Sequence, residues 1–366
     1  MFKICHIEIT NINAMPRVWR EAISAQQNGY NVEVYGEGDC VERNGIKYIG
    51  FPKAKNRMDR IFSRSYKMVK MAIDSKPDII QLHSPELLLY YHKIKRKKIK
   101  VIFDSHEFYK LQILEKAYIP KAFRTMIAKG YDLVETIICK KIDAVFYPCT
   151  VEGQNMFENK CKTTAKIENY SEDTINVECT QERIPRTAIY AGCLSYNRGL
   201  KTMIETTKIV DYTLLLCGTF GTKEDEEMVY EACNEGKVKY MGSLSREELF
   251  ELYMKTSLGL SLLKPRGQYT RIDNLSTKMY EYMQCGMPIV FSNFPYANKI
   301  NEEIHYGIGV NSEDVHEVAL AIEKIFGDRE LANQLGQNGK QAIERRFNWT
   351  KESLKILKIY DELVKK

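Results

Sequence analysis

Arg271–Phe291 reads RIDNLSTKMYEYMQCGMPIVF, and its order of residue types fixes how this part of the chain folds. Polar residues Asp273, Asn274, Ser276 and Thr277 precede a helix expected over Lys278–Gln284. Gly286 ends that helix, and Pro288 follows before the apolar run of a buried strand. Lys278 in the first turn opposes the helix dipole, a placement that makes sense if an anion docks beside it. Glu281 stands one turn further on, where a carboxylate can accept two hydrogen bonds from a ribose diol. The alternative is a capped amphipathic helix with Glu281 merely exposed.

The same helix-then-strand grammar extends in both directions. Upstream, short apolar runs fall at Thr187–Ala191, Thr213–Leu216, Val238–Met241 and Leu258–Leu262. In the N-terminal half they recur at Lys3–Ile9, Val32–Tyr35, Ile46–Ile49, Ile79–Leu82, Val101–Asp104 and Ala144–Tyr147. Helix-length segments with apolar residues three or four apart separate most of them, such as Val18-Ala22-Ala25 and Ile61-Met68-Met71. Such alternation predicts an α/β chain of two doubly wound, mainly parallel sheets, each covered by helices on both faces. The expected borders are 1–170 for the first domain, Ser171–Arg186 for a polar linker and 187–348 for the second domain. A closing helix over 349–366 could pack back on the first domain. Two such domains would face a central cleft, and ligands of these sheets bind at the carboxyl ends of the strands.

Composition limits the classes of function. A length of 366 residues with 44% hydrophobic and 28% charged residues is that of a folded chain, so disorder throughout is excluded. No run of about 18 apolar residues occurs, and the N-terminus leads straight into a strand without the build of a signal peptide. Ten cysteines without a C-x-x-C pair predict free thiols in a reducing, cytoplasmic compartment and no structural zinc site. The net charge of +6 is uneven: residues 1–170 carry 29 Lys and Arg against 19 Asp and Glu, and the remainder 25 against 29.

The segment NLSTKMYEYMQCGMPIV (274–290) resembles the donor-binding signature of the GT-B glycosyltransferases, in the retaining family 4 group. That family has an acidic residue, seven intervening residues and then Glu; here the pair is Asp273 and Glu281, with Asp replacing the first Glu. A second match is AIYAGCLSYNRG (188–199), a strand entering a glycine turn with a basic residue at the next helix start. Gly192 would allow close backbone approach to a diphosphate and Arg198 would contact it, while Cys193 stands where many relatives carry Arg. An ordinary strand-to-helix turn with a surface Arg is the other reading. Gly218 and Gly242 match two further turns near which the family places the nucleotide base.

In the first half, VIFDSHEF (101–108) delivers Asp104, Ser105, His106 and Glu107 at a strand end. The resemblance makes His106 a contact to the donor sugar, with Glu107 beside it and His83 shaping the acceptor side. The alternatives are helix capping by Asp104 or Ser105 with His106 a solvated bystander, and a core or turn histidine at His83. The first loop, TNINAMPR (10–17), lacks the Gly-Gly pair of many relatives; Pro16-Arg17 opens the first helix, and Arg17 could supply charge towards a diphosphate or acceptor, or be an exposed first-turn residue. Asn169 matches a residue before the family's linker.

The resemblance implies sugar transfer from a nucleotide-diphosphate donor to an acceptor hydroxyl with retention of configuration. His106, Asp273 and Glu281 would be catalytic, and Gly192, Arg198, Asn274, Ser276, Thr277, Lys278, Glu281 and Arg17 would hold the donor. No metal and no other cofactor is expected. A role in cell-surface polysaccharide or glycolipid synthesis follows by analogy, with a sugar or lipid-linked glycan as acceptor. A non-catalytic partner subunit and a sugar-nucleotide epimerase are the alternatives. The basic excess gathers in Lys93–Lys100 (KIKRKKIK) and Lys53–Lys70, the latter interleaved with Ile61, Phe62, Tyr66 and Met68, which suits an anionic membrane surface at the inner face. A solvated charged face is the plainer alternative. Nucleic acid is ranked last because no nucleic-acid module accompanies the charge.

Overall fold

A computed structural model describes residues 1–11, 15–116, 119–171 and 182–365. Contacts divide the chain into two compact units, Met1–Asn169 with Thr350–Lys366, and Tyr170–Trp349. Both are layered α/β units, in agreement with the expected class.

The first unit holds strands β1 (Lys3–Asn11), β2 (Asn31–Glu37), β3 (Val41–Arg43), β4 (Ile46–Phe51), β5 (Ile79–Leu82), β6 (Lys100–Asp104), β7 (Ala144–Tyr147) and β8 (Thr164–Lys166). They line up in the order β3-β4-β2-β1-β5-β6-β7-β8, parallel throughout except for the exposed edge strand β3. The strands β5 and β7 are buried at every position, Gln81 of β5 included, as strands must be when helices cover both faces. Chain direction across the sheet reverses between β1 and β5, which makes their carboxyl ends the topological switch point where ligands of such sheets bind. The closing helix Trp349–Val364 ties back into this unit: the Tyr360 hydroxyl donates to Gln81 and that of Tyr30 to Asp361.

The second unit holds β9 (Ile184–Ala191), β10 (Thr213–Cys217), β11 (Val238–Tyr240), β12 (Thr256–Ser261), β13 (Ile289–Ser292) and β14 (Gly307–Val310). The order is β11-β10-β9-β12-β13-β14, all parallel, with the reversal between β9 and β12. Two apolar clusters flank the sheet, one centred on Ala188, Leu214 and Leu258 and the other on Ile189, Tyr282 and Phe291. The alternation along β9, with Ala188 on one side and Ile189 on the other, is what divides them.

Three short strands escape the sequence pattern: β3, β8 and β14. The last is GIGV, and a side chain at Gly307 would come within 2.1 Å of the Ile289 carbonyl oxygen, so strand pairing there selects glycine against β-propensity. The segment read as a linker, Ser171–Arg186, lies mostly outside the described residues, and its last three residues open β9. Three residues of the first loop, 12–14, also lie outside them. No helix among the described residues is long and apolar enough to cross a membrane.

Candidate functional site

In the second unit, the helix Thr277–Gln284 follows its sequence signals closely. Its apolar face buries Met279, Tyr280, Tyr282 and Met283, and Gly286 at φ 62° closes it in the left-handed conformation. Tyr282 lies flat on β12, where a side chain at Gly259 would reach within 2.4 Å of the ring. The helix start is built differently from an ordinary cap. Ser276 makes no side-chain cap hydrogen bond; its Oγ lies 3.1 Å from Ser261 Oγ at the end of β12. Asn274 accepts from the Tyr280 hydroxyl at 3.1 Å, so its amide folds back on the helix. Asp273 is half-buried on the turn before it, and Thr277 is the first helical residue.

Lys278 turns back towards the end of β9. Its Nζ lies 4.8 Å from the centre of the Tyr190 ring, and its Cε is 3.7 Å from where a side chain on Gly192 would begin. Gly192 at φ 138° keeps that space open. Arg198, on the turn after β9, stacks on Tyr269 at 5.2 Å and donates to its hydroxyl at 3.3 Å. Among the described residues Lys278 makes no ion pair or hydrogen bond. Burial, and secondarily the Arg198 charge, push its ammonium down from the ordinary 10.5 to about 7. Two cations held near each other in a poorly solvated place favour an anion between them. Gly218 supports the turn, since a side chain there would lie 2.0 Å from the Gly192 carbonyl oxygen.

Glu281 stands one turn along. Tyr253 donates to its Oε2 at 3.3 Å, and Arg246 Nη1 lies 4.0 Å from Oε1. It is thus a gripped, largely buried carboxylate, not the exposed residue of an ordinary helix. Sequence reasoning missed Tyr253 and Arg246. The signal available was the capping box of Ser245 and Glu248, which starts the helix Arg246–Lys255 that carries both.

The first unit builds a polar cluster at its own switch point. Asp104, at the end of β6, is fully buried and receives Arg17 Nε at 2.8 Å and Nη2 at 2.7 Å. Arg17 Nη1 donates to the Ile167 carbonyl at 2.7 Å. The expectation that Arg17 turns towards a diphosphate is therefore corrected: each terminal nitrogen is engaged inside the unit, and the side chain is buried. Pro16 at the helix start aims it inward from the helix Pro16–Gln27.

His106 Nε2 lies 3.1 Å from Asp104 Oδ2 and 3.1 Å from His83 Nδ1, and His83 Nε2 is 2.9 Å from His6 Nδ1. Three imidazoles and one carboxylate form a chain from the sheet interior to the strand ends, with His106 as its outermost, partly exposed member. Burial alone would raise the Asp104 carboxyl, but Arg17 and His106 hold it well below the usual range. Burial holds His83 low, and burial followed by the His83 charge holds His6 low, so both are neutral near pH 7. The sites His6–Glu21–His83 and His83–Asp104–His106 bring three potential metal ligands together. In the second, Arg17 already compensates Asp104, so the donor set is that of a hydrogen-bonded network. Glu107 is half-buried beside it, and Asn169 accepts from Arg20. Sequence reasoning missed His6, although His6 and Glu8 on one face of an otherwise apolar strand were the visible sign.

Residues 180–342 match the family model described as glycosyl transferases group 1. An uncharacterized glycosyltransferase of Methanocaldococcus jannaschii is 23% identical over 301 residues, 75% of this chain and 71% of that protein. Among solved structures, sucrose-phosphate synthase from Thermosynechococcus elongatus superposes with a TM-score of 0.77 at 17% identity, covering 99% of both chains. HepE of Anabaena, in complex with UDP and glucose, gives 0.74 at 14% identity over 99% of this chain and 100% of that one. The fold is that of the GT-B glycosyltransferases. With the family match across the second unit, the chain is a glycosyltransferase.

Proposed function

We propose that the chain transfers a sugar from a nucleoside-diphosphate donor to an acceptor hydroxyl with retention of anomeric configuration. The observation that carries this reading is the grouping of Lys278, Arg198 and Gly192 at the reversal between β9 and β12. There Lys278 is charge-depleted and among the described residues has no acidic partner in ion-pair range. A diphosphate would draw the proton back onto Lys278 and meet the helix start beside it. Glu281, already held by Tyr253 and Arg246, is placed to receive ribose hydroxyls, and Asp273 those of the sugar. In the first unit, His106 is the group assigned to a sugar hydroxyl. Thr277, Ser276 and Asn274 complete the donor side, the last two through the helix start they organise. Likeness to HepE bound to UDP and glucose supports a nucleotide-sugar donor. In this reading the donor needs no metal, because Lys278 and Arg198 supply the positive charge a diphosphate needs.

The acceptor we infer is a sugar or lipid-linked glycan, in polysaccharide or glycolipid synthesis on the cytoplasmic face of a membrane. Exposed Met58, Phe62, Tyr66 and Met71, with Lys67 and Lys70 beside them, support contact with an anionic bilayer. Incubation with a panel of nucleotide sugars, followed by NMR of the product's anomeric proton, tests the reading. Retained configuration is expected, and inversion or mere epimerisation of the nucleotide sugar would refute it.

A further inference from the structure

An open pocket of about 440 Å³ lies in the first unit, lined by Ile9, Thr10 and Asn11 of β1, Glu37 of β2, and Lys53, Ala54, Asn56, Arg57, Arg60 and Arg64. That volume is within the range of small-molecule sites. Four of its lining residues are cations and one, Glu37, is a carboxylate, with Glu86 just outside the lining against Arg60. That carboxylate, Glu37, is taken up by Arg64 Nη1, while Arg64 Nη2 donates to the Ile9 carbonyl. Arg64 is only 5% exposed, and its Nε and that of Arg60 are buried without a hydrogen-bond partner. Arg60 touches Glu86 at 3.4 Å across a partly exposed gap, a weak pairing. Lys53 and Arg57 stand exposed at the rim.

The backbone builds this arrangement. Asp59–Arg64 forms a π-helical turn ahead of the helix Ser65–Asp74, a local widening that recurs at functional sites. It carries Arg60 and Arg64 to the carboxyl ends of β1 and β2, the side of the sheet on which His83, Asp104 and His106 also lie. With strands about 4.8 Å apart, β1 and β6 are separated by about 10 Å. The link is continuous: Thr10 binds Glu8 at 3.0 Å, and Glu8 accepts from Ser84, next to His83, at 2.7 Å.

We propose that this pocket binds a phosphoryl or diphosphoryl group of the acceptor, so that the acceptor is a phosphorylated molecule. The proposal rests on the transferase reading above and names its acceptor class. It also reassigns Lys53, Arg57, Arg60 and Arg64 from a flat membrane-facing patch to a concave anion site. Eight of the ten lining residues are polar or charged, and their cationic ends suit a negatively charged group. A lipid-diphosphate glycan and a soluble sugar phosphate share this chemistry.

The test is calorimetric titration of inorganic pyrophosphate into the full chain, as wild type, as the Lys53→Ala/Arg57→Ala double variant, and as Lys278→Ala. Both rim residues are exposed, so the double variant keeps its fold. The expected result is two binding events. One is weakened about tenfold or more by Lys53→Ala/Arg57→Ala and untouched by Lys278→Ala. An unaltered titration of the double variant would overturn the proposal. Absence of the event that depends on Lys278 would sink the donor reading and leave the pocket standing as an anion site without its assignment to an acceptor. Competition then separates the sources: stronger displacement by a diphosphate lipid in neutral detergent marks a lipid-linked acceptor, and by a sugar phosphate a soluble one. Displacement by neither overturns the assignment to an acceptor.

Discussion

Arg17 holds Asp104 by two nitrogens of its guanidinium, at 2.8 and 2.7 Å, deep in the first unit. A forked pair of this kind leaves neither charge exposed to water, and its worth shows when one partner is removed. Arg17→Met should destabilise the chain by about 3–5 kcal/mol, because Asp104 is then left buried without its countercharge. The double variant Arg17→Met/Asp104→Leu should recover much of that loss. Urea unfolding of the two variants and wild type checks this, and equal losses in the single and double variants would speak against it.

Lys278 gives a pH prediction with a definite sign. Its folded pKa lies near 7, against 10.5 ordinarily, so the free protein carries a largely neutral Lys278 at pH 8. Binding a nucleoside diphosphate should restore the charge and take up close to one proton at that pH. Calorimetry in buffers of differing ionisation heat reads this directly. Uptake near zero at pH 8 would show that the ammonium does not meet the anion.

The same shift has a consequence for stability. A lysine whose folded pKa is lowered costs stability, fully below pH 7 and not at all above about 10.5. Lys278→Met should therefore raise Tm at pH 6–7 while weakening donor binding. The gain should shrink as pH rises towards 10. A lower Tm at pH 6 would mean that Lys278 makes a stabilising contact instead.

Glu281→Gln keeps the shape of the side chain and its bond from Tyr253 but removes the charge. Donor KM should rise about tenfold or more, with Tm close to wild type, since ionised hydrogen bonds to a diol are stronger than neutral ones. Tyr253→Phe should give a smaller effect in the same direction. Wild-type donor kinetics in Glu281→Gln would remove this residue from the site.

Gly218 and Gly236 both have positive φ, 128° and 87°, yet they should respond differently to alanine. At Gly236 nothing lies within 4 Å, so Gly236→Ala should cost about 1–2 kcal/mol from backbone strain alone. At Gly218 the new carbon would meet the Gly192 carbonyl oxygen at 2.0 Å, so the loss should exceed that and donor affinity should fall with it. Thermal melts and donor titrations of the two variants measure the contrast.

Much of this was legible in the sequence because strong local signals and the fold agreed. The apolar runs at Ile79–Leu82 and Ala144–Tyr147 coincide with strands residue for residue. The helix expected over Lys278–Gln284 runs Thr277–Gln284, one residue longer at its start, and Gly286 closes it. What was not legible depends on partners distant in sequence. Arg17 looks like an exposed first-turn residue until Asp104, 87 positions away, and Ile167 close around it. The Lys53–Lys70 charges look like a surface stripe until a π-helical turn folds Arg60 and Arg64 against β1 and β2. Strand β14 was hidden because glycine, chosen there for close strand approach, weakens the propensity signal.

The central claim is that the Lys278 side of the second unit drives sugar transfer by stabilising charge on a leaving diphosphate. The most direct measurement is the rate of transfer from the nucleotide sugar selected by the panel, compared between wild type and Lys278→Ala at saturating donor. The account predicts a fall in kcat of about 100- to 1000-fold, the usual cost of losing one group that stabilises developing charge. A Lys278→Ala protein that turns over at the wild-type rate would contradict it.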